Sequence, residues 1–129
     1  MESLRNFALL VGRIFLAGLF IFDGALMVRT WEQTAGYMAD FGVPGMFLPI
    51  AAVFQFGGGL LVVLGQWTRL VAFAFAGYCI VTAVIFHRSG STGEIIQFGK
   101  DVAIAGGFLV LAATGGGRWS ADGYRDGRA

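Results

Sequence analysis

The stretch Glu94–Thr114, EIIQFGKDVAIAGGFLVLAAT, is apolar enough to cross a membrane, yet it contains two adjacent charges, Lys100 and Asp101. The uncharged run that follows them, Val102–Thr114, has 13 residues. At about 1.5 Å per residue this run reaches only about 20 Å, short of a hydrocarbon core of about 30 Å. A spanning helix must therefore begin near Glu94. Gln97, Lys100 and Asp101 then lie within the bilayer on one helix face, because their spacing is i, i+3, i+4.

Three further apolar runs accompany this one. The chain of 129 residues is 57% hydrophobic and only 13% charged, whereas soluble domains carry about 25% charged residues. The predicted spans are Phe7–Met27, Met46–Leu64, Leu70–Phe86 and Glu94–Thr114. The segment between the first two spans, residues 30–44, is polar but contains aromatic residues, which predicts a short helix in the membrane interface.

The predicted fold class is all-α, an integral membrane four-transmembrane-helix bundle with a short interfacial helix between helices 1 and 2. Residues 1–129 are expected to form a single domain, since the length allows no separate soluble module. The Gly115-Gly116-Gly117 run ends the fourth span, and residues 118–129 are predicted to be a polar tail.

The distribution of arginines predicts the orientation of the bundle. Four spans place both termini on one side of the membrane, together with the turn between the second and third spans. That side carries Arg5, Arg69, Arg118, Arg125 and Arg128, and the other side carries Arg29 and Arg88. The excess predicts that both termini are cytoplasmic. Arg13, which lies inside the first span, is expected to snorkel to the interface, and with Arg69 to anchor on lipid phosphate.

Polar residues from three spans fall in the same half of the bilayer when depth is measured from the span centres at about 1.5 Å per residue. These residues are Asp23, Gln55, Gln97, Lys100 and Asp101. Charged groups at depth are costly, so we predict an ion pair between Lys100 and Asp23 across the first and fourth spans. Gln55 and His87 would complete the hydrogen bonding.

Simpler interpretations of these residues stay open. The fourth helix could begin after Asp101 and leave its charges among the lipid headgroups. Gln55 could serve only to join two helices by a hydrogen bond, and His87 could be a solvated residue at the edge of a loop.

Composition excludes several classes of function. A single cysteine, Cys79, rules out an internal disulfide or dithiol chemistry, and a single histidine without a cysteine cluster argues against a metal site. A formal net charge of +1 gives no reason to expect a nucleic-acid partner.

The stretch Phe54–Leu70, FQFGGGLLVVLGQWTRL, resembles a pattern of the DoxX family of small four-helix bacterial membrane proteins, in which an acidic residue, Gly-Gly and an aliphatic run precede Gly and Thr-Arg. Supporting stretches are Gly42-Val43-Pro44, Phe98-Gly99-Lys100-Asp101 and the ending Gly115–Asp122, which is similar to Gly-x-Gly-Arg-x-Ser-x-Asp. Two positions depart from the family pattern. Gln55 stands where a glutamate is frequent, and Asp101 stands where an asparagine is common.

The resemblance implies a multi-pass protein of the bacterial cytoplasmic (inner) membrane. Some members of the family are subunits of quinone-linked oxidoreductases, including thiosulfate:quinone types. The leading hypothesis is therefore a membrane subunit of a redox system with a quinone as a non-covalent cofactor. The candidate quinone or polar pocket consists of Asp23, Gln55, Gln97, Lys100 and Asp101, with His87 nearby.

In such a pocket a lysine can polarise a carbonyl oxygen and an acid can exchange a proton. The chain carries no haem, flavin or metal motif, so electrons would come from a partner. Expected partners are membrane lipids and either other membrane or redox subunits or a second copy of this chain. Two other hypotheses are a non-enzymatic scaffold or assembly subunit of a larger complex, and a small carrier or proton pathway.

Overall fold

The computed structural model describes residues 2–86 and 92–125, and this part of the chain contains helices but no strands. The helices are α1 (Glu2–Arg29), α2 (Trp31–Asp40), α3 (Phe47–Leu64), α4 (Thr68–Phe86), α5 (Thr92–Thr114) and α6 (Ala121–Arg125). The helices α1, α3, α4 and α5 are long and apolar enough to cross a membrane. The predicted all-α bundle of four spans, with a short helix between the first two, is confirmed.

The helix ends lie close to the predicted spans except at the N-terminus. The limits of α3, α4 and α5 agree with the prediction to within two residues, but α1 begins at Glu2 rather than at Phe7. No glycine or proline interrupts residues 2–6, so the helix continues beyond the apolar run on which the prediction relied.

The four long helices pack as two pairs, α1 with α3 and α4 with α5. Small residues allow the first pair to approach closely: a Cβ placed on Gly59 would lie 2.6 Å from Cγ1 of Ile21 and 3.3 Å from the carbonyl oxygen of Ala17. Gly24 similarly faces α3, where its Cβ would lie 3.4 Å from the backbone nitrogen of Phe56. Close packing of this kind holds membrane helices together, because in lipid there is no hydrophobic driving force for helices to associate.

A cluster of phenylalanines joins the two pairs in the middle of the bundle. The ring of Phe20 on α1 lies 4.8 Å from Phe75 on α4 and 5.6 Å from Phe108 on α5, centroid to centroid. Phe75 and Phe108 are themselves 5.0 Å apart and fully buried. Gly58 on α3 makes room for the edge of the Phe75 ring. This aromatic core fills the space between the two pairs at this level.

Arg13 ties the N-terminal half of α1 to the end of α3. Its guanidinium donates to the carbonyl oxygens of Val62 at 3.1 Å and Val63 at 2.9 Å, and also to the carbonyl oxygen of Trp119. The side chain is 1% exposed, so the prediction that it snorkels to lipid phosphate is wrong. The last carbonyls of a helix have no partner within the helix, and a buried arginine next to them satisfies these groups and offsets the helix dipole.

The other helix ends on this side of the bundle are satisfied in a similar way. Asp122 in α6 accepts hydrogen bonds from the backbone N–H groups of Trp67 and Thr68, both at 2.8 Å, and so caps the start of α4. Its own N–H donates to the carbonyl oxygen of Gly65 at 2.9 Å. Arg69 donates to the carbonyl oxygen of Ala113 at 2.7 Å, near the C-terminal end of α5. Arg69 is therefore bonded to protein at this helix end, where the sequence predicted a lipid phosphate.

We call Arg13, Arg69, Asp122 and the turn Gly65–Thr68 the terminal clasp. The turn depends on Gly65, which has a φ of 76° and brings its backbone against Arg13 and Ser120. A side chain here would be strained by the positive φ and would collide with both neighbours. The segment predicted as a polar tail is thus partly structural, since residues 121–125 form α6 and Asp122 joins the start of α4 to Gly65 at the end of α3.

We expect Gly59→Ala to lower the free energy of unfolding by about 1–3 kcal/mol, because the added methyl group overlaps Ile21 and forces α1 and α3 apart. Gly57→Ala is a matched control in the same helix, because nothing lies within 4 Å of a Cβ at that position. It should be neutral or slightly stabilising, since alanine is the better helix former. Thermal unfolding in detergent, followed by circular dichroism, measures both. Equal melting temperatures of the two variants would contradict the close packing of α1 on α3.

We expect Arg13→Met to lower the free energy of unfolding by about 3 kcal/mol or more, because it removes a buried side chain that donates to three carbonyl oxygens. Arg5→Met is the control, since Arg5 is exposed on the same helix and its loss should cost less than about 0.5 kcal/mol. Chemical denaturation of both variants in mixed micelles gives the comparison. If Arg13→Met is as stable as Arg5→Met, the clasp does not depend on Arg13.

Asp122 is expected to determine how the stability of the protein falls at acidic pH. Burial by itself raises the pKa of this carboxyl, but the hydrogen bonds from Thr68 and Trp67, together with nearby Arg125, outweigh burial and hold the pKa below its ordinary value. Because the folded pKa is the lower one, the stabilisation is complete above the unfolded pKa of about 3.9 and is lost as the pH falls through the folded pKa.

Asp122→Asn should therefore lower the melting temperature at neutral pH and flatten its decline below about pH 4. Melting curves at a series of pH values measure this slope. Asp40→Asn serves as the control, because Asp40 is exposed at the end of α2; it should leave the slope unchanged. A parallel decline in the Asp122→Asn variant and in the native chain would contradict the role assigned to Asp122.

Candidate functional site

A cavity of about 1170 Å³ lies between the two helix pairs, in the half of the bundle away from the terminal clasp. Its walls come from the C-terminal halves of α1 and α4 and the N-terminal halves of α3 and α5. The α2 helix and the turn at residues 42–44 line the end nearest the loops. The cavity exists because the pairs meet at the clasp and the aromatic core and separate beyond them.

The structure places all five described residues of the predicted polar pocket on the wall of this one cavity. These are Asp23 on α1, Gln55 on α3, and Gln97, Lys100 and Asp101 on α5. His87, the sixth residue named from the sequence, lies outside the described residues.

The predicted ion pair between Lys100 and Asp23 is absent from the described part of the chain. The reason is the helix pairing. Because α1 packs mainly on α3 and has only a small contact with α5, Asp23 lies near the side chain of Gln55 on α3. Lys100 remains exposed on the opposite wall of the cavity.

Gln55 and Tyr78 form the polar floor of the cavity. The Gln55 amide nitrogen donates to the Tyr78 hydroxyl oxygen at 2.5 Å, across the gap between α3 and α4. Gln55 is only 3% exposed, and its Oε1 atom has no hydrogen-bond partner within residues 2–86 and 92–125. Since buried polar atoms are almost always paired, an unsatisfied acceptor on a cavity wall suggests a donor from a bound molecule or from water.

Tyr78 was missed by the sequence analysis, although a signal was present. Transmembrane tyrosines concentrate at the two interfaces, whereas Tyr78 is the eleventh of the 19 residues of α4. Its phenol oxygen accepts from Gln55, so the hydroxyl hydrogen is left to point elsewhere. The ring is held by Phe54 at 5.1 Å and Phe20 at 6.3 Å, centroid to centroid.

The remaining walls are largely apolar. They are made by aliphatic and aromatic side chains from the four long helices: Leu19, Leu26, Met27, Phe47, Ile50, Ala51, Ala74, Val81, Ile85 and Ile104. Thr30, Thr34 and Tyr37 add hydroxyl groups near the loop end. An apolar cavity with a few convergent polar groups at its floor is suited to an amphipathic molecule whose polar part enters first.

No group of three or more His, Cys, Asp or Glu side chains in residues 2–86 and 92–125 could hold a metal ion. The chemistry that the cavity offers is hydrogen bonding and proton exchange. Tyr78 and Lys100 can donate, Gln55 can accept through Oε1, and Asp23 and Asp101 can take up or release protons.

The fold and the cavity define a four-span integral membrane protein with a polar site between its helix pairs. The profile of the DoxX family matches residues 8–88, and the chain belongs to this family. The matched region contains Asp23, Gln55 and Tyr78, while Lys100 and Asp101 lie beyond it.

Two proteins of Escherichia coli strain K12 are similar to this chain. Inner membrane protein YqjF is 40% identical over 123 residues, which cover 95% of each chain. Inner membrane protein YphA is 40% identical over 126 residues, which cover 92% of this chain and 90% of the relative. No solved structure matches.

Proposed function

We propose that the cavity binds the headgroup of a membrane quinone and that the protein is the membrane subunit of a redox system. The observation that carries this proposal is the Oε1 atom of Gln55, a buried acceptor without a partner in the described residues, next to a hydroxyl that can donate. A quinone ring has an acceptor oxygen when oxidised and a hydroxyl donor when reduced, so this pair of groups can serve both forms.

When bound, a quinone supplies the capacity to take up two electrons and two protons. The residues of this chain then have separate tasks. The Tyr78 hydroxyl and the Lys100 ammonium would donate hydrogen bonds to oxygens of a bound ring, and Gln55 would accept one from a hydroxyl of the reduced ring. Asp23, which interacts with Gln55, is placed to exchange a proton with the same end of the molecule.

The electrons must come from a partner, which we propose is a separate redox subunit in the same membrane. The orientation with both termini in the cytoplasm, predicted from the arginines, places the terminal clasp on the cytoplasmic side and the cavity in the opposite half. The cavity is then close to the periplasmic surface, from which protons can reach Asp23 and Asp101.

The first test measures quinone directly. The protein is purified from its native membrane in nanodiscs, extracted with organic solvent and assayed for quinone by mass spectrometry. In samples kept reduced during purification, we expect a stoichiometric amount in the native chain and a loss of at least about tenfold in Gln55→Leu. Only the reduced ring has a hydroxyl that can donate to Gln55 Oε1, and one hydrogen bond to a buried acceptor is worth about 1.4 kcal/mol. Lys100→Met should also lower retention, whereas Gln33→Leu, an exposed glutamine on α2, should not.

An infrared measurement separates a direct contact from a change of fold. With a quinone labelled with ¹³C at its carbonyls, the hydrogen bond from Tyr78 should lower the carbonyl stretching frequency, and Tyr78→Phe should return it towards the free value. Tyr124→Phe, at an exposed site in α6, is the control. No enrichment of quinone over bulk lipid in the native chain would overturn the proposal and favour a scaffold whose polar residues join its helices.

A further inference from the structure

We propose that the gap between α3 and α4 is a lateral portal that holds the long apolar tail of the ligand whose headgroup lies on the cavity floor. This inference rests on the proposed function and assigns the substrate class more narrowly, to ring compounds dissolved in the membrane by an isoprenoid-like chain. We call this gap the α3–α4 seam; its walls are Phe47, Ile50 and Ala51 on α3 and Ala74, Val81 and Ile85 on α4.

The residues of the seam face both the cavity and the outside of the bundle. Ile50 lines the cavity and is 60% exposed, and Val81 lines it from the other helix and is 55% exposed. Side chains that bound an internal space and are also exposed mark the place where that space opens. Since both sit within membrane-spanning helices, the opening faces lipid rather than water.

The seam is wide only at the cavity end, because α3 and α4 are joined by a tight turn at the other end. The tight turn Gly65–Thr68 connects α3 to α4 at the terminal clasp, so the helices start close together. Phe54 then contacts Phe75 at 4.7 Å, centroid to centroid, and closes the gap beside the aromatic core. Beyond this level α3 packs mainly on α1 and α4 mainly on α5, so the facing surfaces separate towards the cavity end.

The side chains along the α3–α4 seam differ in polarity from those on the α1–α5 side of the cavity. The α1–α5 side of the cavity presents Gln97 and Lys100, both exposed, and a hydrocarbon tail lying there would desolvate a charge. The α3–α4 seam is lined mainly by apolar side chains, and the small Ala51 and Ala74 leave room between them. Thr82 also lines the cavity from α4, but its hydroxyl donates to the carbonyl oxygen of Cys79 at 3.1 Å. A tail in this seam therefore buries apolar surface while the headgroup reaches Gln55 and Tyr78.

The loop end of the cavity is less suitable as an access route. The α2 helix lies there, and Met38, on its inner face, lines the cavity and is buried. A hydrophobic molecule that approached from water would have to leave the membrane first, at a cost that grows with each methylene exposed.

The test uses two probes with one ring, 2,3-dimethoxy-5-methyl-benzoquinone without a tail and the same ring with a decyl tail that ends in a photoactivatable diazirine. Binding of both is measured in nanodiscs, and crosslinks of the tailed probe are mapped by peptide mass spectrometry. Ala51→Phe narrows the seam, and Ala103→Phe makes the same change at an exposed site on α5 that does not line the cavity. Val81→Trp narrows the seam from its other wall.

We expect crosslinks on the seam residues of α3 and α4 in the native chain. Ala51→Phe and Val81→Trp should weaken binding of the tailed probe about tenfold or more and leave the tailless probe within about twofold, because only the tail needs the filled space. Ala103→Phe should change neither. The tailless probe also reports folding, since it binds only if the polar floor is intact.

The other outcomes overturn the inference in distinguishable ways. Binding of both probes with crosslinks on α1 and α5, or crosslinks spread evenly over the lipid-facing surface, would overturn the seam and leave headgroup binding in place. Unchanged affinity of the tailed probe in Ala51→Phe and Val81→Trp would also overturn the seam as the site of the tail and leave headgroup binding in place. If neither probe binds the native chain, the proposed function fails, and the portal fails with it.

Discussion

The bundle depends on the contact between the guanidinium of Arg13 and the carbonyl groups at the end of α3. A helix that ends within a membrane protein exposes backbone acceptors that lipid cannot satisfy, and each one left unpaired is costly. Arg13 satisfies two of these carbonyls and a third from the chain that leads into α6. Asp122 and Arg69 serve the start of α4 and the end of α5 in the same manner. One end each of α3, α4 and α5 is thereby fixed in a single polar arrangement, and α1 is joined to it through Arg13 in its N-terminal half.

The cavity follows from this asymmetry. At the clasp the two helix pairs are held by charge-assisted hydrogen bonds, and in the middle they are held by the rings of Phe20, Phe75 and Phe108. In the other half no comparable set of contacts joins the pairs in the described residues, and the helices separate around a space of about 1170 Å³. The polar groups of Gln55 and Tyr78 therefore lie where the closed half meets the open half. A ligand would meet its hydrogen-bonding partners at the deepest point that it can reach, with apolar surface around the rest of it.

Stretches that resemble the DoxX family occur in both halves of the molecule. The stretches that resemble the family include Gly65, Arg69 and the ending with Ser120 and Asp122, and in the structure all of these serve the clasp. The cavity is lined by Gln55 and Asp101 and also by Gly42, Val43, Pro44 and Lys100, which belong to the stretches that carry the resemblance. The neutral amide of Gln55 offers this chain a hydrogen-bond acceptor that does not titrate.

Much of this protein was determined by its sequence alone. The lengths of the apolar runs fixed the number of spans, and the spacing of Gln97, Lys100 and Asp101 fixed the face on which they lie. The tertiary structure alone decided which helices pair, and this is where the sequence analysis failed. Asp23 meets Gln55 instead of Lys100, Tyr78 joins the floor, and Arg13 binds carbonyls instead of lipid phosphate. The pairing of α1 with α3 depends on the fit of small residues, Gly24 and Gly59, against particular neighbours. Every span here is rich in small residues, so composition and periodicity describe the faces of one helix but cannot say which other helix each face will contact.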